Sequence, residues 1–351
     1  MGDLLFGHRD PLFGIIILVL LVATISIVTH VWNLRTQKHK EESLKRFARA
    51  FEYSGVDKEA QLLMGQGEHI PLALRYLAKI YEKAGEYDKA IKIYLAILEH
   101  PCELRERLLL LESLGETYLR AGFLERSKKI FLEILKNMPR NSHVLFLLMQ
   151  ACEKLGQFDE ALEALDCLLE LLDSREEIML NYAYLSVKRL LADSFIPMER
   201  RNSELLVWLA REPRLLRLIL GYFRGFDMVM FWELVGKTPQ IIEVADILWN
   251  LPKEQLSFET IKQNSALLEL YRAKGYIDDE AVCERFELEA LRVINRHCAQ
   301  KADLDFEYHC HACKGIFPVD FERCPSCAEL LSGNLVLKIR KSRNEANFSF
   351  L

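Results

Sequence analysis

Hydrophobic residues recur at helical spacing through most of the chain. From about residue 71 to residue 175, apolar positions repeat at i, i+3, i+4 and i+7, the pattern of helices with one buried face. The few glycines and prolines there fall mainly between the apolar runs. The pattern predicts amphipathic helices joined by short turns. Between the two ends of the chain, no stretch is expected to alternate apolar and polar residues long enough to form a sheet.

The helical pattern repeats three times with the same internal offsets. Each copy has a glycine at its fifteenth position, and Gly85, Gly122 and Gly156 are 37 and 34 residues apart. The second interval equals the tetratricopeptide period, and the first contains extra residues near 103–107. Glycine allows a left-handed backbone at the end of the first helix, and small residues at the eighth and twentieth positions let paired helices approach closely. We expect helical hairpins stacked into a solenoid, with an irregular helical bundle as the alternative.

The first helices of such repeats line a concave groove, and repeat geometry assigns its residues. The surface mixes acidic, basic and apolar side chains, which suits a peptide or a partner domain. An ordinary solvated helix face is the alternative. The assigned positions are Arg75, Lys79, Glu82 and Lys83 in the first copy, Glu112, Glu116, Leu119 and Arg120 in the second, and His143, Phe146, Gln150, Glu153 and Lys154 in the third.

Beyond residue 176 the chain remains helical in pattern, but the repeat weakens. Residues 176–304 predict divergent helical repeats, in which Leu267, Tyr271 and Gly275 keep the repeat offsets. Residues 223–251 are too apolar for a free surface. We expect them in the core, with a partner-binding groove as the alternative.

An apolar segment lies near the N-terminus. Residues 12–32 contain one ionisable side chain, His30, and would cover ~31 Å as a helix, about the thickness of a bilayer core. Six Lys or Arg residues follow within 35–49 and one Arg precedes the segment. The positive-inside rule therefore places residues 1–11 outside and the rest of the chain in the cytoplasm. A cleaved signal peptide and a buried helix are the alternatives.

Four cysteines near the C-terminus carry the strongest chemical signal. Cys310 and Cys313 form one C-x-x-C pair, Cys324 and Cys327 form another, and ten residues separate the pairs. Two such pairs can place four thiolates around zinc, with Zn–S bonds of ~2.3 Å. Iron can bind the same four sulfurs and is the second possibility. Two disulfides are the third possibility, but a reducing cytoplasm disfavours disulfides. The other cysteines are expected to be small buried residues: Cys102, Cys152, Cys167, Cys283 and Cys298.

The net charge and the absence of known catalytic motifs argue against several classes of function. The chain has 46 basic and 51 acidic residues and a formal net charge of −5, so no strong basic field indicates nucleic-acid binding. The sequence lacks a phosphate-binding glycine loop, an H-E-x-x-H motif and a nucleophile elbow. Four thiolate ligands also leave no open position on zinc for an activated water. We therefore expect a scaffold or adaptor and not an enzyme.

The sequence thus predicts an all-α tetratricopeptide-repeat solenoid with one N-terminal transmembrane helix and a small C-terminal rubredoxin-like zinc ribbon. A solvated, partly disordered basic tail is expected to follow the ribbon. The expected segments are an outer N-terminus (1–11), the transmembrane helix (12–32), a basic juxtamembrane segment with the first helices (33–70), the repeats (71–175), divergent repeats (176–304), the ribbon (305–337) and the tail (338–351).

This order of parts resembles the lipopolysaccharide assembly protein B family of Gram-negative bacteria. The resemblance covers nearly the whole chain and is sharpest in YLAKIYEKAGEYDKAIKIYLAILE, YLRAGFLERSKKIFLEIL and YHCHACKGIFPVDFERCPSCAEL. It implies that the ribbon packs against the repeats and that the four cysteines at 310, 313, 324 and 327 hold the metal. Here Lys314 follows the first pair, with Gly315 one position later, so the first knuckle is expected to differ slightly.

The resemblance also implies a function. Family members are inner-membrane adaptors that deliver the deacetylase of the lipid A pathway to a membrane-anchored AAA+ zinc protease, and so restrain lipopolysaccharide output. They are also linked to lipopolysaccharide transport proteins. The expected location is the bacterial inner membrane, with a single span and the bulk of the chain in the cytoplasm. A membrane-anchored, rubredoxin-like iron redox protein is the alternative, and a zinc ribbon that binds nucleic acid lacks the necessary basic stacking surface.

Overall fold

A computed structural model of the protein describes residues 70–99, 103–171 and 175–342. The expected transmembrane segment, the residues that flank it up to 69, Cys102 and the end of the basic tail lie outside these residues. Within the described ranges, no helix combines the length and the apolar character needed to cross a bilayer. The chain divides into two compact units, Met1–Leu172 and Asp173–Leu351, which are considered one at a time.

The described part of the first unit consists of helical hairpins. Its helices are α1 (Ile70–Lys83), α2 (Tyr87–Glu99), α3 (Leu104–Arg120), α4 (Leu124–Asn137), α5 (Ser142–Lys154) and α6 (Phe158–Leu171). Each helix packs against the next, and α3 also touches α5, as expected for stacked repeats. Helix α3 has 17 residues, against 14 in α1 and 13 in α5, so the extension in the second copy lengthens its first helix.

The three turn glycines adopt the left-handed conformation that the sequence predicted. Their φ angles are +77° at Gly85, +83° at Gly122 and +74° at Gly156. At the first turn the N–H of Glu86 donates to the carbonyl of Tyr81 at 2.9 Å, and the other two turns have the equivalent bond. This is the Schellman arrangement, which satisfies carbonyls at a helix end.

Small residues let the paired helices approach closely, as predicted, except at the eighth position of the third copy, which is Met149. A Cβ atom at Gly115 of α3 would lie 2.6 Å from Cε1 of Phe131 on α4. Phe131 has no exposed surface, so its ring has little room to move. Gly115 therefore allows the distance between α3 and α4. The other small contact residues are fully buried: Ala78, Ala90, Ser127 and Ala161.

The second unit contains less regular helices. They are α7 (Arg175–Ala192), α8 (Met198–Arg211), α9 (Leu216–Phe226), α10 (Met228–Lys237), α11 (Ala245–Trp249), α12 (Phe258–Gln263), α13 (Ser265–Ala273) and α14 (Phe286–His297). Short 3₁₀ turns lie at Pro213–Leu215, Ile241–Val244 and Lys253–Gln255. The region is helical, as expected, but it does not keep the hairpin spacing of the first unit.

The repeat-like offsets near Gly275 produce a turn without an immediate second helix. Gly275 has a φ of +80° and α13 ends just before it, yet α14 begins only at Phe286. Asp279 accepts hydrogen bonds from Arg272 Nη2 at 2.7 Å and from the N–H of Ala281 at 3.2 Å. These bonds hold the intervening segment as a loop, so the expected divergent repeat is incomplete here.

The two tryptophans and several large apolar residues of 223–251 lie in the core of the second unit, as predicted, whereas Phe226 and Val229 are 67% and 77% exposed. Phe223, Phe231 and Leu248 have no exposed surface, and Trp232 is 6% exposed. The indole N–H of Trp232 donates to the carbonyl of Gln255 at 2.8 Å, which satisfies its polar atom.

A three-stranded antiparallel sheet follows the helices, in the region where the cysteine ribbon was expected. The strands are β1 (Ala302–Cys310), β2 (Ile316–Phe317) and β3 (Gly333–Lys341), in the order β2-β1-β3. In β1 the alternation is complete, with Leu304, Phe306, Tyr308 and Cys310 between Asp303, Asp305, Glu307 and His309.

The expected ribbon boundaries, 305–337, are too narrow, and the expected basic tail begins inside β3. Lys338 Nζ lies 2.6 Å from Glu307 Oε1, and Arg340 Nη1 lies 3.4 Å from Asp305 Oδ1. Opposite charges on neighbouring strands stabilise the pairing, so the sheet continues to Lys341. Arg343 lies outside the described residues.

Replacing Gly115 by Ala is expected to destabilise the protein by about 1–3 kcal/mol, because the added methyl group overpacks the contact with Phe131. Helix propensity alone would predict the opposite sign. Gly221→Ala in α9 is the matched control, since its Cβ would meet nothing within 4 Å. Urea unfolding measures both variants. A gain in stability from Gly115→Ala equal to that of the control would contradict the close approach.

Candidate metal centre and partner groove

The structure brings the four cysteines of the C-x-x-C pairs together. Their Sγ atoms all lie within 4.8 Å of one another. The Sγ–Sγ distance is 3.7 Å between Cys310 and Cys327 and 3.6 Å between Cys313 and Cys324. A tetrahedron with metal–sulfur bonds of ~2.3 Å has edges of about 3.8 Å, so these distances fit one ion between the pairs. A disulfide needs about 2.05 Å, and the described cysteines are free.

The two C-x-x-C turns share one backbone geometry. The N–H of Lys314 donates to the carbonyl of Cys310 at 3.0 Å, and the N–H of Ala328 donates to that of Cys324 at 2.9 Å. Lys314 and Ala328 both have a φ of +61°. The expected difference in the first knuckle is therefore not found. Lys314 adopts the left-handed conformation itself, at a cost of roughly 1 kcal/mol for a residue with a Cβ.

Burial differs within each pair. Cys310 and Cys324 are 1% and 3% exposed, whereas Cys313 and Cys327 are exposed. Each turn thus buries its first cysteine and exposes its second.

The environment of the sulfurs favours binding of a cation. Burial raises the pKa of Cys310, but hydrogen bonds from Ser332 and from backbone N–H groups outweigh it and lower that pKa to about 6. Burial raises the pKa of Cys324, and burial together with neighbouring thiols raises that of Cys327 to about 12. Four adjacent thiolates repel one another, so a bound cation would stabilise the ionised cluster by compensating its charge.

Polar side chains beside the cysteine cluster attach the sheet to α7. Glu322 accepts hydrogen bonds from Tyr184 Oη at 2.6 Å and from Lys188 Nζ at 2.9 Å. Arg323 Nη2 donates to Asn181 Oδ1 at 2.8 Å. The resemblance implies packing of the ribbon against repeats, and these contacts are with the less regular helices of the second unit.

A second set of contacts, centred on a largely buried ion pair, attaches β1 to the helices of the second unit. Arg217 of α9 donates to both carboxylate oxygens of Asp246 on α11, at 2.9 and 2.8 Å, and to Asp320 Oδ2 at 2.7 Å. Tyr308 of β1 donates to Asp246 Oδ2 at 2.7 Å. Burial raises the pKa of Asp246, but the Arg217 guanidinium outweighs it, so the net change in the pKa is downward.

The sequence analysis missed these attaching residues. Arg217 and Asp246 are charged residues inside apolar helical stretches, and a charge at a buried position requires a partner. That signal indicates a buried pair, but it does not say which two residues, 29 positions apart, meet.

The predicted groove residues lie on α1, α3 and α5, the first helices of the repeats. Glu112 of α3 lies 3.7 Å from His143 Nε2 and 3.4 Å from Asn141 Nδ2. Thr117 of α3 donates to Glu82 Oε1 of α1 at 2.5 Å. Neighbouring first helices therefore meet along the predicted side.

Two predicted lining residues are buried. Leu119 is 4% exposed and Gln150 is 6% exposed. Helix α5 packs against α3, α4 and α6, so little of its surface remains at the groove. The other predicted residues are at least partly accessible: Arg75, Lys79, Glu82, Lys83, Glu112, Glu116, Arg120, His143, Phe146, Glu153 and Lys154.

The cysteines outside the cluster give a mixed result. Cys152 and Cys283 are buried, as predicted, and burial raises the pKa of the Cys152 thiol to about 11. Cys167 and Cys298 are exposed, so the prediction is wrong for them. Both lie on polar faces of their segments.

Residues 113–174 match the family model of the tetratricopeptide repeat. This range covers the C-terminal part of α3 and the helices α4 to α6, which form the hairpins described above. The chain therefore contains tetratricopeptide repeats, a fold class typical of protein-interaction scaffolds. Comparison with curated proteins gave no match.

Several solved structures are similar to part of the chain. The C-terminal part of a TPR repeat-containing protein from Cytophaga hutchinsonii is 13% identical, with 65% of this chain and 95% of that chain covered and a TM-score of 0.36. MamA from AMB-1 is 20% identical, with coverage of 50% and 96% and a TM-score of 0.35. The first TPR of Spaghetti, bound to an HSP90 peptide, is 20% identical, with coverage of 35% and 94% and a TM-score of 0.31.

Replacing Asp246 by Asn is expected to cost about 3 kcal/mol at pH 7, because Arg217 then loses its closest buried counter-charge. The folded pKa of Asp246 is lowered, so its contribution is present above the unfolded value of ~3.9 and is lost as the pH falls through the folded pKa. The difference between the variant and the natural protein should therefore shrink at low pH. Urea unfolding at pH 7 and below pH 4 measures it.

Asp305→Asn is the matched control for this substitution. Asp305 pairs with Arg340 at 3.4 Å and both side chains are about half exposed, so less than ~1 kcal/mol is expected. Equal losses from the two substitutions would contradict a special role for the buried pair.

Proposed function

We propose that this protein is a non-catalytic, membrane-tethered adaptor that binds a client protein in the groove of its first unit. The observation that carries the proposal is the stack of tetratricopeptide hairpins, whose first helices meet along one accessible polar side. Such a surface binds peptides or domains through many weak contacts and needs no reaction centre. The apolar segment 12–32 supports a membrane tether.

We further propose that the client belongs to lipopolysaccharide biosynthesis. The support is the resemblance of the order of parts and of the quoted repeat and cysteine segments to the lipopolysaccharide assembly protein B family. In this proposal the chain presents the lipid A pathway deacetylase to a membrane AAA+ zinc protease at the bacterial inner membrane. It also contacts lipopolysaccharide transport proteins there.

We propose zinc as the resident ion of the cysteine cluster. Cys310, Cys313, Cys324 and Cys327 would hold it, and the spacing of the four sulfurs, which is enough for a complete tetrahedron, supports a closed site. Bound zinc supplies folding energy to the small sheet. Iron at the same sulfurs is the second candidate, and the exposure of Cys313 and Cys327 favours it, because exposed ligands give electrons a path to a partner.

Replacing Cys324 and Cys327 by Ser should release the ion and loosen the sheet, because two thiolate ligands are lost. Metal content by mass spectrometry and the absorbance of the purified chain measure the outcome. One zinc per colourless chain supports the proposal, and a red iron protein supports the redox candidate. Cys167→Ser with Cys298→Ser is the matched control and should keep the full metal content, since both thiols lie outside the cluster. Full zinc in the first variant contradicts the assignment.

Removing residues 1–33 should abolish client degradation in liposomes that contain the protease, because the client is no longer concentrated beside it. The loss arises from effective concentration, so the truncated chain should still bind the deacetylase in solution. Degradation is followed by the amount of intact deacetylase over time, and binding by calorimetry. If the truncated chain keeps full activity, the proposed membrane tether is wrong. If it binds no deacetylase, the proposed client is wrong.

A further inference from the structure

Helix α1 carries three cations on one face. Arg75, Lys79 and Lys83 are four residues apart, so they lie along the same side of the helix. Lys79 and Lys83 are exposed and Arg75 is partly buried. Among the residues that the structure describes, none of the three forms an ion pair with a carboxylate. We name this set the α1 basic stripe; its like charges repel one another unless an anion lies beside them.

The α1 basic stripe borders the seam between α1 and α3. Glu82 lies seven residues after Arg75, on nearly the same side of α1, and accepts the hydrogen bond from Thr117 of α3. Leu72 lies three residues before Arg75 and is 47% exposed. The stripe therefore joins three cations and one exposed apolar side chain at the edge of the groove.

The nearby acidic residues are already engaged. Glu116 pairs with Arg120 at 2.6 Å, and Glu112 lies 3.7 Å from His143. On α1 itself, three cations face the single carboxylate of Glu82, so the net charge at the α1 end of the groove is positive. Electrostatic complementarity then favours a partner that brings carboxylates.

The spacing of the cations favours an extended partner segment. Four helical residues rise ~6 Å, so the stripe covers about 12 Å. Alternate residues of an extended chain lie on one face ~6.7 Å apart, so three of them cover about 13 Å. A strand-like segment with acidic residues at alternate positions can therefore place one carboxylate beside each cation.

We propose that the α1 basic stripe binds an extended acidic segment of the client, with carboxylates at alternate positions facing Arg75, Lys79 and Lys83 and an apolar side chain against Leu72. The inference rests on the proposed adaptor function and adds the chemistry of its client. The charges set the register of the segment, and Leu72 supplies apolar contact.

A peptide titration tests the spacing. The probes are a fluorescein-labelled ten-residue peptide with Glu at alternate positions and one Leu, a block isomer of the same composition, and an analogue with Gln in place of Glu. Anisotropy with the full chain in mild detergent should show that the alternating peptide binds at least about tenfold more tightly than the Gln analogue, and that the binding weakens as salt rises. The block isomer should bind more weakly than the alternating peptide.

Two sets of variants distinguish binding at the α1 basic stripe from a general effect of the protein's charge. The combined change Arg75→Gln, Lys79→Gln and Lys83→Gln should weaken the alternating peptide by at least about tenfold, and reversal of all three to Glu should remove binding. The matched control reverses three exposed cations on α4 and the turn after it, and should change the affinity less than about twofold. The control set is Lys129→Glu, Lys136→Glu and Arg140→Glu. Circular dichroism establishes that each variant is folded.

Several outcomes overturn the inference. The inference is wrong if the alternating peptide and the Gln analogue bind equally well. It is also wrong if the stripe reversal and the control reversal weaken peptide binding equally, because the stripe then does not bind carboxylates specifically. A stripe reversal that releases the chain without residues 1–33 from phosphatidylserine vesicles and leaves peptide binding unchanged assigns the stripe to a lipid surface. If Phe146→Asp abolishes binding of the deacetylase while the stripe reversal leaves it intact, the adaptor function stands without this inference.

Discussion

The small size of the β-sheet limits how the C-terminal part of the chain can fold. Only a few side chains of residues 302–341 are buried apolar groups, among them Leu304, Leu330 and Leu337. An element of this size rarely buries enough apolar surface to fold alone. It needs cross-links, and two kinds are present: the cluster of four sulfurs, and hydrogen-bonded charges that connect it to α7, α9 and α11.

The two kinds of cross-link are coupled through the chain between the cysteine pairs. Asp320 reaches Arg217, and Glu322 reaches Tyr184 and Lys188, within four residues of Cys324. An ion at the sulfurs fixes the loop that presents these carboxylates, and the helices in turn restrict the loop that presents the sulfurs. Metal affinity and the stability of the second unit are therefore expected to depend on each other.

The sequence indicated the features that depend on local geometry. The left-handed turns at Gly85, Gly122 and Gly156 and the close contact at Gly115 follow from what a residue without a Cβ allows. The pairing of the C-x-x-C turns follows from ligand spacing. Features that depend on tertiary context were missed: the burial of Gln150, the ion pair of Arg217, and the continuation of β3 into the basic residues. Their local patterns also fit exposed helix, isolated charge and solvated tail.

The first unit raises a different question, namely how a mixed surface selects one client. Charge alone gives fast association and orientation but limited discrimination, because every acidic segment is attracted to the α1 basic stripe. Discrimination needs groups that reject the wrong partner as well as groups that accept the right one. Glu112 on α3 provides rejection, since no Lys or Arg among the described residues pairs with its carboxylate and a segment whose acidic residues continue past α1 meets like charge there. A client segment that fits both helices must therefore be acidic at one end only, with polar or apolar residues where it passes α3 and reaches the partly buried Phe146 of α5.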